Sequence, residues 1–203
     1  MARESLANVT DWVRESNADP RVWQFVQSHP WRASVSARRA IGLNRSDDVA
    51  WAVLGLTQSL LGHHQYAMSA YREARRLAPS NPWYAHNLGH LLDIAAGRPH
   101  AAVPLLAQAH AALCETPDQS APPPGSARRE IVTSYAHALW RCGQLDDAKT
   151  LLLPLVRGRA TPAEHELYAA ILDHIEIAWQ RHAGSIQTAS ARPRRILRSR
   201  RTR

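Results

Sequence analysis

The sequence predicts an all-α solenoid of helical hairpins, and three observations carry that prediction. Ala and Leu are plentiful, while Gly occurs only 9 times in 203 residues. No long run alternates apolar and polar residues with the period of 2 that a half-buried strand requires. The chain also resembles itself when slid by 34 residues: Trp51, Leu54 and Gly55 fall on Ala85, Leu88 and Gly89, and Ala67 and Tyr71 fall on Ala101 and Leu105. A repeat of this length marks stacked units that cannot bury their apolar faces alone.

Taken in order, residues 1–18 read as an N-terminal cap helix, with its helical part at about 3–16. Residues 19–44 read as a degenerate first copy. A short helix near 20–28 carries Trp23 and Phe25, His29-Pro30 makes the turn, and Ala33, Ala37 and Ala40 fall on Ala67, Tyr71 and Ala74. The copy at 47–80 has small residues (Gly55, Ala67, Ala74) where two helices approach and Trp51, Leu54 and Tyr71 to fill the space between them; Gly62-His-His joins the pair. The copy at 82–114 keeps Leu88, Gly89, Ala101 and Leu105, but Pro104 inside its second helix predicts a late start or a kink. Residues 115–126, rich in Pro, Ser and Gly, read as an exposed loop. The copy at 127–156 follows 47 residues after the second, with Val132, Tyr135, Ala136, Leu139, Gly143, Ala148 and Leu152, and Pro154 is expected to end or bend its second helix. Thr161-Pro-Ala-Glu164 then signals a helix start, a capping box with Pro at the first helical position. The cap helix at 162–182 has Leu167, Ile171, Ile175 and Trp179 on one stripe and Glu164, Glu166, Asp173 and Glu176 turned to water. Residues 183–203 read as a disordered basic tail.

Trp51-Ala-Val-Leu-Gly, followed by Tyr66-Ala, Ala70-Tyr71, Ala74 and Pro79, resembles the tetratricopeptide repeat. The departure is Gln58, which stands where the family pattern has Tyr. The resemblance covers about residues 19–156 and implies a right-handed α-α solenoid in which the first helix of each hairpin lines a concave groove. It further implies a non-catalytic scaffold or adaptor that binds a peptide or helix in that groove.

At 100° per residue, Ala85, Leu88, Gly89 and Leu92 share one packed face, and Trp83, His86, His90 and Asp93 fall opposite. The third copy repeats the pattern: Val132, Tyr135, Ala136 and Leu139 pack, while Glu130, Thr133, His137, Trp140 and Arg141 take the other side. In the first copy that side is apolar, with Val49, Ala52, Leu56, Ser59 and Leu60. The candidate peptide-binding residues are therefore Trp83, His86, Asn87, His90, Asp93, His137, Trp140 and Arg141. Some family members grip a C-terminal carboxylate from these helices. Asn87 matches that arrangement, but Ala52, Leu56 and Ser134 do not, which argues against it. Three imidazoles with ordinary pKa near 6.5 predict binding that responds between about pH 5.5 and 7.5.

Two further function classes compete with the scaffold reading. Seven arginines (Arg192, Arg194, Arg195, Arg198, Arg200, Arg201 and Arg203) fill the last twelve residues. Removing them from the 25 Lys and Arg leaves 18 basic against 17 acidic residues, so the charge of +8 belongs to the tail. Such a tail would hold nucleic acid or an acidic membrane surface through phosphates, without sequence preference and with strong salt dependence. No aromatic residue interleaves with it to stack on bases. Alternatively, His86 and His90, one helical turn apart with Asp93 or His137 nearby, could ligate Zn²⁺ and support a metal-dependent enzyme. That reading lacks a general base, because Asn87 follows His86, and no metal or cofactor is expected. The chain shows no Gly-rich phosphate loop and no nucleophile with an adjacent base. Cys114 and Cys142 have neither metal nor disulfide spacing and read as small core residues. No secretory leader and no membrane-spanning run are recognisable, so a cytoplasmic location is expected.

Overall fold

The computed structural model describes residues 25–113, 127–158 and 160–190, with side chains left out at 127 and after 177. The cap helix expected at 3–16, the loop at 115–126 and the arginines of 192–203 lie outside the described residues. After a helical stretch at 25–28, the helices are α1 (Pro30–Leu43), α2 (Asp48–Leu60), α3 (His64–Leu77), α4 (Pro82–Ile94), α5 (Pro99–Leu113), α6 (Ala127–Arg141), α7 (Leu145–Arg157) and α8 (Pro162–Ser190). Among the described residues there is no strand, and each helix packs on the next along the chain. The hairpins are α2–α3, α4–α5 and α6–α7, with α1 as the second helix of the degenerate copy and α8 as the cap.

The first helices α2 and α4 have side-chain caps, whereas the second helices follow glycine turns. Asp47 accepts the amide of Ala50 at 3.0 Å to start α2, and Asn81 accepts that of Trp83 at 3.0 Å to start α4, each satisfying an otherwise orphaned donor. Within the hairpins, Gly62, Gly97 and Gly143 sit at φ 77°, 63° and 78°, where a side chain would be strained. No side chain caps the helices that follow at His64 and Leu145. Reversal of the chain right after the glycine sets their start.

Each hairpin closes on one intimate contact. A Cβ added at Gly55 would meet the Tyr71 ring at 2.9 Å, and one added at Gly89 would meet Leu106 Cγ at 2.8 Å. The partner at Gly89 corrects the expected register. Ala102 and Leu106 are fully buried, whereas Ala101 and Leu105, the residues 34 after Ala67 and Tyr71, are only partly so. The turn of the second copy holds one extra residue, so α5 begins 35 residues after α3, although α4 begins 34 after α2. Copies one and three match throughout: Gly55, Ala67 and Tyr71 correspond to Ala136, Ala148 and Leu152, all buried and all 81 residues apart. Leu54 and Tyr135, expected to be buried, are partly exposed.

Neither Pro104 nor Pro154 delays or ends its helix. α5 starts at Pro99, five residues before Pro104, and α7 continues three residues past Pro154. Both prolines face solvent. Exposure lets water serve the carbonyl that loses its helical partner, so neither helix has to end there. Gln58, in the position of the family tyrosine, is buried and bonds Ser34 Oγ at 2.8 Å and His63 Nδ1 at 3.0 Å. It ties α1, α2 and the turn together with polar contacts where an aromatic ring would pack.

The apolar core has two main clusters, bridged by the partly buried Val103 and Tyr135. Tyr71, Leu88, Leu92 and Leu106 join α3, α4 and α5 to Ala138 of α6, and Val132, Leu139, Leu152 and Ile171 join α6 and α7 to α8. Glu164, expected at the surface, is only 4% exposed. It completes the capping box, accepting the Thr161 amide at 2.6 Å. It also takes a two-pronged ion pair from the equally buried Arg129, with Nε at 2.7 Å and the second prong from Nη2. Burial alone would raise its pKa, but the Arg129 guanidinium and Thr161 hold the carboxyl down at about 2. The cap helix is therefore clamped to α6 by a buried charge pair as well as by Ile171. It runs on to Ser190, past the expected boundary at 182.

Two stability measurements check this packing. Gly89→Leu is expected to lose about 1–3 kcal/mol or more in urea unfolding, because Leu106 has no room to retreat. Gly42→Ala, at a glycine with nothing within 4 Å, should leave stability unchanged or slightly raised. Arg129→Met should cost about 3 kcal/mol or more by stranding the Glu164 carboxylate, and adding Glu164→Leu should recover much of that loss. Equal destabilisation of the single and double variants would show that the pair is not the clamp.

Candidate functional site

The first helices α4 and α6 bring all eight candidate groove residues together, but not all onto an open face. Trp83, His86, Asn87, His90 and Asp93 come from α4, and His137, Trp140 and Arg141 from α6. His86 and Asp93, which helical phase set opposite the packed face, are buried at 7% and 2% exposure. The reason is the neighbouring repeat. A face turned away from its own hairpin partner is partly covered by the next first helix, and single-helix phase does not register that neighbour.

Two polar networks occupy the seam between α4 and α6. In one, Asp93 binds Arg141 through Oδ1 at 2.7 Å and His137 Nδ1 through Oδ2 at 2.6 Å. The same Arg141 nitrogen also donates to the Asp93 carbonyl at 2.5 Å. Both carboxylate oxygens are thus satisfied, as a buried charge requires. In the other network, His86 Nδ1 lies 3.2 Å from Asn87 Oδ1, which accepts only, and so the network assigns His86 the Nδ1–H tautomer. His86 Nε2 then accepts from the Ser134 hydroxyl at 3.0 Å, and Ser134 Oγ in turn accepts from His90 Nδ1 at 3.4 Å. Asn87 also contacts Tyr71, so this chain of contacts reaches back into the first hairpin.

Around the networks lie rings that stay half-exposed. Trp83 meets His86 edge-on with centroids 5.5 Å apart, and Trp140 meets His137 in the same manner at 5.5 Å. The Trp140 indole donates to His174 Nδ1 of the cap helix at 2.7 Å. His90 and Arg141 are exposed, and His137 is partly so. Ile94 and Leu60, 54% and 46% exposed, end α4 and α2 at equivalent positions. Leu60 belongs to the expected apolar side. Ile94 was missed, and its signal was the same 34-residue spacing from Leu60.

Burial and the neighbouring His90 push the His86 pKa down to about 4, and burial also lowers that of His90. The expectation of three ordinary imidazoles is corrected on this point: His86 stays neutral across the physiological range. Burial, followed by the nearby Asp93, raises the Cys142 thiol, which keeps it protonated at neutral pH and a poor nucleophile. Among the described residues, no group of three or more His, Cys, Asp or Glu is arranged to hold a metal ion. Within the seam the potential ligands are engaged with one another: Asp93 with Arg141 and His137, and His86 with Ser134 and Asn87. Among the described residues no helix is long and apolar enough to cross a membrane.

By sequence, the chain matches no protein-family model and no curated protein. By structure, it is similar to YrrB, a tetratricopeptide-repeat protein with an unusual peptide-binding site: TM-score 0.60 at 18% identity over 83% of this chain and 84% of that one. It is similar to MamA from Desulfovibrio magneticus RS-1, with TM-score 0.62 at 13% identity over 94% and 97% of the two chains. The type III secretion translocator chaperone SycD of Yersinia enterocolitica gives a TM-score of 0.54 at 12% identity over 70% and 89%. The fold is the helical solenoid of tetratricopeptide-repeat proteins.

The buried imidazole sets a pH dependence of stability. A histidine held at about 4 in the folded chain and near 6.5 unfolded binds fewer protons when folded at any pH between those values. Stability should therefore fall as pH drops from 6.5 to 4, by something on the order of 3 kcal/mol from His86. Glu164 works in a lower window: its contribution, complete above about 4.5, is lost as pH falls through about 2. Urea melts from pH 7 to 4.5 should show a slope that His86→Gln largely flattens. A slope unchanged by that substitution would mean that His86 is not held neutral in the fold.

Proposed function

We propose that this chain is a non-catalytic protein-interaction scaffold that holds a peptide or short helix against the first helices of its hairpins. The observation that carries the reading is the surface left after packing is complete. Each hairpin buries its core on one side, and the seam networks consume His86, Asn87 and Asp93. What faces outward on α2, α4 and α6 is Leu60 and Ile94, the partly exposed Trp83 and Trp140, the exposed His90, and the accessible sides of His137 and Arg141, which Asp93 holds in place. Large apolar, aromatic and guanidinium groups on a rigid frame are the usual anchors of interfaces. Rigidity matters as well, since side chains already held in place lose little freedom on binding.

The division of labour refines the site. Trp83, His90, Ile94, His137, Trp140 and Arg141 contact the ligand, whereas His86, Asn87, Asp93 and Ser134 hold the contacting groups in position. Among proteins of the same fold, YrrB is described by its peptide-binding site and SycD as a chaperone, which supports the class of function without naming a partner.

A peptide selected from a displayed library on the intact protein provides the probe. His90→Ala, Ile94→Ser and Trp83→Ala should each weaken it by about fivefold or more in calorimetry, with the helical signal unchanged. Full-strength binding by a folded His90→Ala/Trp83→Ala double variant would place the site elsewhere on the solenoid.

A further inference from the structure

The two terminal helices of the described solenoid present outer faces of opposite charge. α1 buries Ala33, Ser34, Ser36 and Ala37 against the body. At 100° per residue its other face gathers Trp31, Val35, Arg38 and Arg39, with Arg32 alongside. Trp31 is 69% exposed and Val35 38%, the three arginines are exposed, and the helix contains no acid. At the opposite end, α8 buries Glu164 and Ile171. Its outer face gathers Glu166, Ala169, Leu172, Asp173 and Ile177, with Leu172 and Ile177 about two-fifths exposed. Residues 162–177 contain no Lys or Arg. Each face is an apolar strip edged by charge, one wholly basic and the other acidic.

We propose that the chain assembles head to tail, the outer face of α1 in one copy docking on the outer face of α8 in a second copy. The two strips match in kind: Trp31 and Val35 meet Ala169, Leu172 and Ile177, while Arg38 and Arg39 meet Glu166 and Asp173. The pairing of unlike ends disfavours the alternatives. A face-to-face pair of α1 helices would oppose arginines, and a pair of α8 helices would oppose carboxylates. Unlike ends give a heterologous contact, which propagates unless its rotation closes a ring. Charges at the edge of such an interface act mainly on encounter and on choice of partner, so the assembly should dissolve with salt.

The test uses the full chain in analytical ultracentrifugation at low and moderate ionic strength. The wild type should grow in weight-average mass with concentration at low salt and return towards monomer as salt rises. Arg38→Glu/Arg39→Glu should stay monomeric, and so should Glu166→Arg/Asp173→Arg. Mixed together, the two variants should regain concentration-dependent growth as alternating copies, because the native junction and its charge-reversed counterpart are both compatible. Combining all four substitutions in one chain should restore concentration-dependent growth. A wild type that remains monomeric at every concentration in low salt would overturn the proposal. Association unaffected by either charge reversal, or failure of the mixed variants to pair while both remain folded by circular dichroism, would overturn it equally.

Discussion

The approach of two helices within each hairpin governs the rest of the molecule. With no side chain at Gly55 and Gly89, the ring of Tyr71 and the branch of Leu106 reach the backbone of the first helix. In the third hairpin Ala136 takes that place and Leu152 the other side, both fully buried. This contact sets how closely each pair packs, and hence how the first helix of one hairpin is offered to the next. Interiors at this density have almost no slack, so a shift at one hairpin would be passed to its neighbours.

The polar seam between α4 and α6 follows from that frame. Once two first helices are brought side by side, a carboxylate at Asp93 and an imidazole at His86 are removed from water and must find partners in protein. They find them across the repeat boundary, in Arg141, His137 and Ser134. Removing such a group costs more than its bond contributes, because its partner is left buried and alone. The hydrogen-bonded seam therefore fixes the relative placement of two repeats more narrowly than apolar contact would. The same demand appears at the end of the chain, where Arg129 and Glu164 join α6 to the cap.

Repetition made the hairpins legible in the sequence, because small and large residues recur at set positions, and Gly55, Gly89, Ala67 and Tyr71 all lie where spacing puts them. Other features depend on a second dimension. The burial of His86 and Asp93 depends on a neighbour 44 to 48 residues away, across the undescribed segment before α6, and no helical wheel contains that neighbour. Glu164 carries the signature of a capping box and was read correctly as one, yet nothing local reveals that Arg129 would arrive from 35 residues upstream. Pro104 was expected to delay or kink its helix, and the helix starts five residues before it, at Pro99, with Pro104 exposed to water that can serve the carbonyl left unpaired. The gathering of these side chains on α4 and α6 was thus legible from helical phase, while their division into buried and exposed groups was legible only in three dimensions.

The extra residue in the α4–α5 turn has a consequence for how this chain can vary. After Ile94 the backbone passes through Ala95 and Ala96 to Gly97, and the amide of Arg98 reaches back to the carbonyl of Leu92 at 2.8 Å. One added residue is absorbed there while Ala102, Leu106 and Ala109 still meet the core. Helix phase after the turn is reset by the packing of α5 on α4 and not inherited from the helix before it. Length changes at these turns are therefore uncoupled from the hairpin interior, as loop-closure entropy, which grows slowly with length, would permit. The same uncoupling makes this turn a port for inserted sequence, such as a fluorescent reporter or an epitope, at a point where the solenoid already tolerates a longer connection.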